Sequence, residues 1–253
     1  DRHDPAPVHL DQNAAVCLAN VAGALVNGGH GCAYLPCNAF WIARASCARH
    51  TAAMIAAIDI PVRVLAGGES RRFGSPKGLV RLAGRPLIAH VIERIKSQTD
   101  APIIVNAGAD SIYAELGCPM CPDRAGLSLG PLAGLHAAMV WGGEGGFSHI
   151  ATVALDTPFL PPDLIARLAE AGAPAIAASL GRWHPVTGLW PCDLAEELLA
   201  YLQSGRRSAH GWAEHCGANV AEFAAGPDAR DPFWNINTPA DLAEAEAALR
   251  GSD

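Results

Sequence analysis

Lys77, Asp156 and the stretch Leu65-Ala66-Gly67-Gly68-Glu69-Ser70-Arg71-Arg72-Phe73-Gly74-Ser75-Pro76-Lys77 carry the residue types that handle phosphate chemistry. Two adjacent glycines let the main chain approach a ligand and offer amide N–H groups, while Arg71, Arg72 and Lys77 neutralise anionic oxygens. Together they read as a cradle for a nucleoside triphosphate. Spacing excludes two familiar phosphate loops. A Walker loop requires its lysine directly after a glycine and before Ser or Thr, whereas Lys77 lies between Pro76 and Gly78. A dinucleotide fingerprint requires G-x-G-x-x-G, and the residue two after Gly67 is Glu69. A surface turn rich in Gly and Arg would use the same residues, so partners elsewhere must decide.

Asp156 ends the apolar run Ala151-Thr152-Val153-Ala154-Leu155, where a carboxylate is costly to bury without a pair or a cation. Mg²⁺ suits it, because that ion prefers oxygen ligands, keeps several waters and uses one or two carboxylates plus substrate phosphates. Capping of the next helix is the alternative role. Beside the glycine-rich loop, metal binding is the favoured one. Asn106 follows the apolar run 103–105 and offers both donor and acceptor to a base or ribose, although Asn is also a common turn residue. Asp123 precedes Gly130-Pro131-Leu132-Ala133-Gly134, in which Pro131 sets a first helical turn and Gly134 permits close approach of a backbone or a flat ring. His184, held extended before Pro185, either faces a ligand or is a satisfied structural histidine. Asn235 and Asn237 flank Ile236 and lie on the same side of an extended segment, directed toward the cleft. Arg206-Arg207 suits an anion or a solvated helix start.

The elements that must position these residues alternate between short apolar runs and amphipathic stretches from Ile60 onward, the pattern of a mostly parallel sheet covered by helices. Strands are expected over 62–65, 102–105, 150–155, 173–178 and 186–190, with 182–185 as a connection. Pro86 opens a helix whose apolar face is Leu87, Ile88, Val91, Ile92 and Ile95. Further helices are expected over 111–116, over 131–141 with Gly142-Gly143 as the stop, over 162–171 and over 193–203. Thr238 as N-cap and Pro239 at the first helical position start a last helix reaching 248. Gly67, Asn106 and Asp156 all fall at the carboxyl ends of strands, where such sheets bind ligands.

Composition narrows the function classes. Half of the 253 residues are apolar, and a net charge of −7 without any basic block argues against a nucleic-acid surface. No apolar run approaches the roughly 20 residues that span a bilayer, and the start lacks a secretory pattern, so no membrane partner and a cytoplasmic location are expected. The eight cysteines read as reduced thiols. Cys118-x-x-Cys121 has no second CxxC, and His30-x-Cys32 with Cys37 lacks finger spacing, so zinc is not expected. The first 53 residues carry three acids and three bases with little periodicity. Residues 1–57 therefore read as an N-terminal extension, with Met54 as a native start, and 58–253 as the domain proper.

In order and spacing, the loop at 65–77, Val105-Asn106-Ala107, Asp123, Gly130-Pro131-Leu132-Ala133-Gly134, Asp156-Thr157-Pro158, His184-Pro185 and Asn235-x-Asn237-Thr238-Pro239 resemble the molybdenum cofactor guanylyltransferases over residues 60–249. The resemblance implies an α/β, three-layer Rossmann-like nucleotidyltransferase fold with a mostly parallel central sheet. It implies transfer of GMP from GTP to the phosphate of molybdopterin or molybdenum-molybdopterin, with release of pyrophosphate. Leu65, Ala66, Gly67, Gly68, Lys77, Asn106, Asp123 and Asp156 would contact GTP, Asp156 would hold Mg²⁺, and Lys77, Asp156 and Arg72 would be catalytic. His184, Asn235 and Asn237 would lie toward molybdopterin. Transient contacts with the proteins that insert or receive the cofactor are implied as well. Cytidylyltransferases acting on the same pterin typically carry LAAG and lack GPLAG, which favours guanine. A catalytically silent nucleotide-binding module is disfavoured by the presence of both Lys77 and Asp156. The chain departs from many of these relatives at Pro76, where they carry Asp before the lysine.

Overall fold

A computed structural model describes residues 59–66, 76–106, 113, 118–121, 130–226 and 229–250. In chain order the elements are β1 (Val62–Leu65), a 3₁₀ turn at Lys77–Leu79, β2 (Arg81–Leu82), β3 (Arg85–Pro86), α1 (Leu87–Lys96) and β4 (Ile103–Val105). There follow α2 (Pro131–Glu144), β5 (His149–Ala154), α3 (Leu164–Ala171), β6 (Ala175–Ser179) and β7 (Arg182–Pro191). A second 3₁₀ turn (Cys192–Leu194), α4 (Ala195–Gln203), α5 (Ala209–His215), β8 (Asn219–Phe223) and α6 (Pro239–Arg250) complete the order.

Six strands form one sheet in the order β4-β1-β5-β7-β6-β8. Among them β7 alone runs antiparallel to its neighbours, so the sheet is mostly parallel as expected. The short Val/Ile runs suit this arrangement because helices cover both faces and both sets of alternating side chains are buried. On one face Val62, Val64, Ile103 and Val153 pack with Ile88, Val91, Ile92 and Ile95 of α1 and with Leu164, Ile165 and Leu168 of α3. On the other, Ile104, Ile150, Ile176 and Trp190 meet Leu135 and Met139 of α2, Leu198 and Leu202 of α4, and Trp212 of α5. Each such fully buried aliphatic side chain contributes about 1.5–3 kcal/mol of gross burial energy. The three-layer architecture is thus set by two apolar faces on one short sheet.

A smaller cluster binds the ends of the domain together. The β2–β3 hairpin turns on Ala83-Gly84, both in the left-handed region with φ of 48 and 77°, the backbone that a two-residue hairpin loop requires. Its Leu82, together with Val80 and Leu87, packs on Ile236 and on Ala245 of α6. The 3₁₀ turn that carries Lys77 is thereby held beside the start of the C-terminal helix.

Two sequence expectations change. Helix α2 does not stop at Gly142-Gly143 but continues to Glu144, because Gly142 serves packing: a Cβ there would stand 2.7 Å from the Cys192 Sγ. Residues 182–185 are no connection. They form the first half of β7, paired with β6 through Ala177↔His184 and Ser179↔Arg182 across the tight turn Leu180-Gly181, with a register irregularity at Ile176/Ala177. The β2–β3 hairpin, α5 and β8 were not foreseen. The helix expected over 111–116 and the extension at 1–57 lie outside the described residues, Tyr113 excepted.

Among the described residues, Cys118, Cys192 and Cys216 are free thiols. Among the described residues no group of three or more His, Cys, Asp or Glu is placed to hold a metal, and no helix is long and apolar enough to cross a membrane. The Cys118-x-x-Cys121 segment runs beside β4 instead. Val105 N–H donates to Pro119 O and Cys121 N–H to Val105 O, each at 3.0 Å.

Candidate active site

The carboxyl ends of β1, β4 and β5 lie side by side, and three of the residues singled out in the sequence occupy them. Leu65 ends β1, Asn106 follows β4, and Asp156 stands two residues past β5. The Asp156 carbonyl accepts the Ile236 N–H at 2.9 Å, which fastens the Asn235-Ile236-Asn237 segment to this strand end. Buried Ile236 anchors the segment, and of its two neighbours Asn235 reaches Asp156 and Asn237 reaches Lys77.

Lys77 is the centre of the cluster. Its Nζ donates to Asp156 Oδ2 at 2.5 Å and to Asn237 Oδ1 at 2.5 Å, and Asn235 Nδ2 reaches the same carboxylate oxygen at 3.4 Å. The Lys77 and Asp156 side chains are only 18% and 13% exposed. Asp241 holds the asparagine segment in turn, its Oδ2 accepting the N–H groups of Asn237 and Thr238 at 2.8 Å each. The Asp241 N–H donates to Thr238 Oγ1 at 3.1 Å, so Thr238 caps α6 reciprocally, as the sequence suggested. Burial pushes the Asp241 carboxyl up, but the Asn237 and Thr238 amides, the Thr238 hydroxyl and nearby Lys77 outweigh it and hold the group below the usual carboxylate range.

This arrangement places one cation in a nest of a carboxylate and an amide oxygen. The same donor set suits a hard divalent cation that completes its shell with water and phosphate oxygens. Asp156 Oδ2 and Asn237 Oδ1 are the two oxygens that such a cation would meet there.

Asn106 extends the site along the sheet. Its N–H donates to Val64 O at 2.9 Å, and its Oδ1 accepts from Arg63 Nη2. Gly134 explains the GPLAG sequence. A Cβ there would lie 3.1 Å from Leu65 Cδ2 and 3.3 Å from Asn106 Nδ2, so α2 rests directly on the ends of β1 and β4.

His184 sits in β7 within a chain of hydrogen bonds. Its Nε2 lies 2.8 Å from Ser179 Oγ, which donates to Asp231 Oδ1 at 2.6 Å, and its ring tilts against Phe233 at 4.7 Å. Burial pushes its pKa down; Asp231 pulls it up and Arg182 pushes it down, leaving it below the ordinary histidine value. His184 therefore secures the segment that leads to Asn235. Arg206 and Arg207 close the end of α4, the first over the Tyr201 ring at 4.2 Å and the second donating to Leu202 O at 2.5 Å.

Lys77, Asp156, Asn235 and Asn237 are thus brought into contact, and Leu65 and Asn106 flank them on neighbouring strands, with Ala66 following Leu65. Gly67, Gly68, Arg71, Arg72 and Asp123 lie outside the described residues. Sequence reasoning missed Arg63 and Asp241. A Thr-x-x-Asp capping pattern marks Asp241, and an arginine inside the apolar run Val62-Arg63-Val64-Leu65 marks the other.

The chain is similar to known proteins in sequence and in fold. The profile of the family described as MobA-like NTP transferase domain matches residues 62–218. A protein of Rhizobium leguminosarum bv. trifolii named molybdenum cofactor guanylyltransferase is 45% identical over 195 residues, covering 74% of this chain and 91% of that one. One of the same name from Cereibacter sphaeroides is 42% identical over 190 residues, covering 74% and 95%. Among solved structures, the molybdopterin-guanine dinucleotide biosynthesis protein A of Archaeoglobus fulgidus superposes with a TM-score of 0.60 at 26% identity, over 76% of this chain and all of that one.

Proposed function

The chain belongs to the molybdenum cofactor guanylyltransferases, within the MobA-like NTP transferase family, and from that membership we propose that it transfers GMP from GTP to the phosphate of molybdopterin or molybdenum-molybdopterin. The observation that supports this at the level of chemistry is the convergence of Lys77, Asp156, Asn235 and Asn237 at the carboxyl ends of the strands. A phosphate oxygen of the pterin substrate attacks the α-phosphorus of GTP. The bond between the α- and β-phosphates breaks, and pyrophosphate leaves. No protein nucleophile is required.

Negative charge builds on the phosphoryl oxygens and on the departing pyrophosphate, so electrostatic positioning is the main task. Arrival of the triphosphate would draw Lys77 Nζ from Asp156 onto phosphate oxygens and leave the Asp156 carboxylate free to hold Mg²⁺. The metal, when bound, supplies charge neutralisation at those oxygens. Arg72 and the amides of Gly67 and Gly68 would serve the same charge from the loop, with Leu65, Ala66, Asn106 and Asp123 along the nucleotide. Asn235 and Asn237, held by Asp156 and Asp241, would face the pterin substrate, with His184 supporting their segment. The same proposal extends to a cytoplasmic location and to transient contact with the proteins that insert or receive the finished cofactor.

The test is pyrophosphate release with purified protein. It is expected only when GTP, molybdopterin and Mg²⁺ are all present. Equal turnover with CTP would reject the guanine assignment, and GTP binding with neither transfer nor hydrolysis would favour a silent nucleotide-binding module.

A further inference from the structure

Arg63 lies in the middle of β1 between Val62 and Val64, and its side chain is fully buried. A guanidinium is costly in such a place unless its donors are used. Nη2 donates to Asn106 Oδ1 and to the carbonyl of Cys121, the latter at 3.0 Å. These acceptors belong to two separate pieces of chain, the end of β4 and the segment beside it. Both pieces lead straight to candidate nucleotide contacts: Asn106 itself, and Asp123 two residues beyond Cys121.

The chemistry of the pair is directional. Arginine has donors only, so the Asn106 amide must turn its oxygen toward Arg63 and its NH₂ away. The Nδ2 atom lies on the side of Gly134, where the missing side chain leaves it 3.3 Å of room from an ideal Cβ position. Asn106 stands two strands from Asp156, roughly 10 Å across the sheet, the separation between the phosphate end and the base or ribose end of a nucleotide.

We propose that Arg63 is a positioning residue that makes Asn106 a hydrogen-bond donor, and never an acceptor, toward the base or ribose of GTP. This rests on the proposed function, in which Asn106 contacts the nucleotide. An aspartate at position 106 would keep the contact to Arg63 with added charge, yet would present an oxygen where the ligand expects N–H. Loss of Arg63 would let the amide turn freely, and a contact made equally in ground and transition states raises KM without changing kcat.

The experiment measures GTP affinity by titration calorimetry with Mg²⁺, together with thermal midpoints and steady-state kinetics, for the wild-type chain and for Asn106→Asp, Arg63→Met and Arg63→Lys. Asn106→Asp is expected to keep its thermal midpoint and to bind GTP about 10- to 100-fold more weakly, the consequence of one unmet hydrogen bond. Arg63→Met should raise the GTP KM about 3- to 30-fold with kcat within about twofold, and Arg63→Lys should recover part of the loss. Wild-type GTP affinity in folded Asn106→Asp, or in folded Arg63→Met, overturns the inference while leaving the guanylyltransferase assignment intact. Should Arg63→Met not fold, Asn106→Asp decides alone. A wild-type chain that neither binds nor consumes GTP overturns both.

Discussion

Replacing Asp156 separates what its carboxylate does for the fold from what it does for phosphate chemistry. In Asp156→Asn the amide oxygen still accepts from Lys77 Nζ and only the charge is lost; in Asp156→Ala the acceptor is lost as well. With side chains 13% and 18% exposed, the pair is neither a solvated surface bridge nor a deeply buried one. Exposed pairs are worth about 0–1 kcal/mol and breaking buried pairs costs about 3–5 kcal/mol. Lys77 keeps Asn237 Oδ1 at 2.5 Å as a second acceptor, which places the alanine variant at about 1–2 kcal/mol by the same scale. For a domain of this size each kcal/mol shifts Tm by about 2–4 °C, so Asp156→Ala should lose roughly 2–8 °C and Asp156→Asn less than about 3 °C. Turnover should respond far more strongly. Removing an electrostatic anchor of a phosphoryl-type transition state costs about 10²–10³ in rate. Thermal-shift measurement and a coupled pyrophosphate assay at saturating GTP and molybdopterin, with Mg²⁺ titrated, read the two quantities separately. Wild-type pyrophosphate release by Asp156→Asn would refute the metal role. A fall in Tm well beyond 10 °C in the alanine variant would show that the estimate of a half-buried pair is wrong.

Three further outcomes follow from particular contacts. Gly134→Ala would press a Cβ against Leu65 Cδ2 and Asn106 Nδ2; a raised GTP KM with modest loss of stability is expected, and unchanged kinetics would show that α2 can retreat without disturbing Asn106. His184 and His149 both lie below the ordinary histidine pKa, chiefly through burial, so the unfolded chain takes up protons that the native chain refuses. Their contribution to stability is complete above the unfolded value near 6.5 and is lost as pH falls toward the native values; Tm should therefore drop between about pH 7.5 and 5, less steeply in His184→Gln, and an identical slope would contradict the assignment. Leu180 is exposed and holds φ at 50° in the β6–β7 turn, a backbone that Asn tolerates far better; Leu180→Asn should stabilise by about 0.5–1 kcal/mol, and a lower Tm would mean that the leucine side chain makes a contact of its own.

The outline of the domain was legible in the chain. The run at 62–65, the α1 face of Leu87, Ile88, Val91, Ile92 and Ile95, and the Thr238-Pro239 start of α6 all depend on periodicity or capping that acts within a few residues. Asn106 and Asp156 at strand ends were found by the same means. Two-residue strands such as β2 and β3 are too short to show alternation, and α5 and β8 lie in a stretch where polar residues interrupt any regular pattern. Gly142-Gly143 misled because a glycine that ends a helix and one that admits a close neighbour look the same in sequence.

Residue types and local order were therefore sufficient for the α/β class and for placing Asn106 and Asp156 at the strand ends. The partnerships among them were decided in three dimensions. Lys77 meets Asp156 across 79 positions and Asn237 across 160, and Arg63 meets Asn106 across 43. Such contacts carry no local signal, because they exist only after the order β4-β1-β5 is set and α6 is packed against the β2–β3 hairpin. Hydrogen bonds act over about 3 Å, so only the packed sheet brings these donors and acceptors within reach.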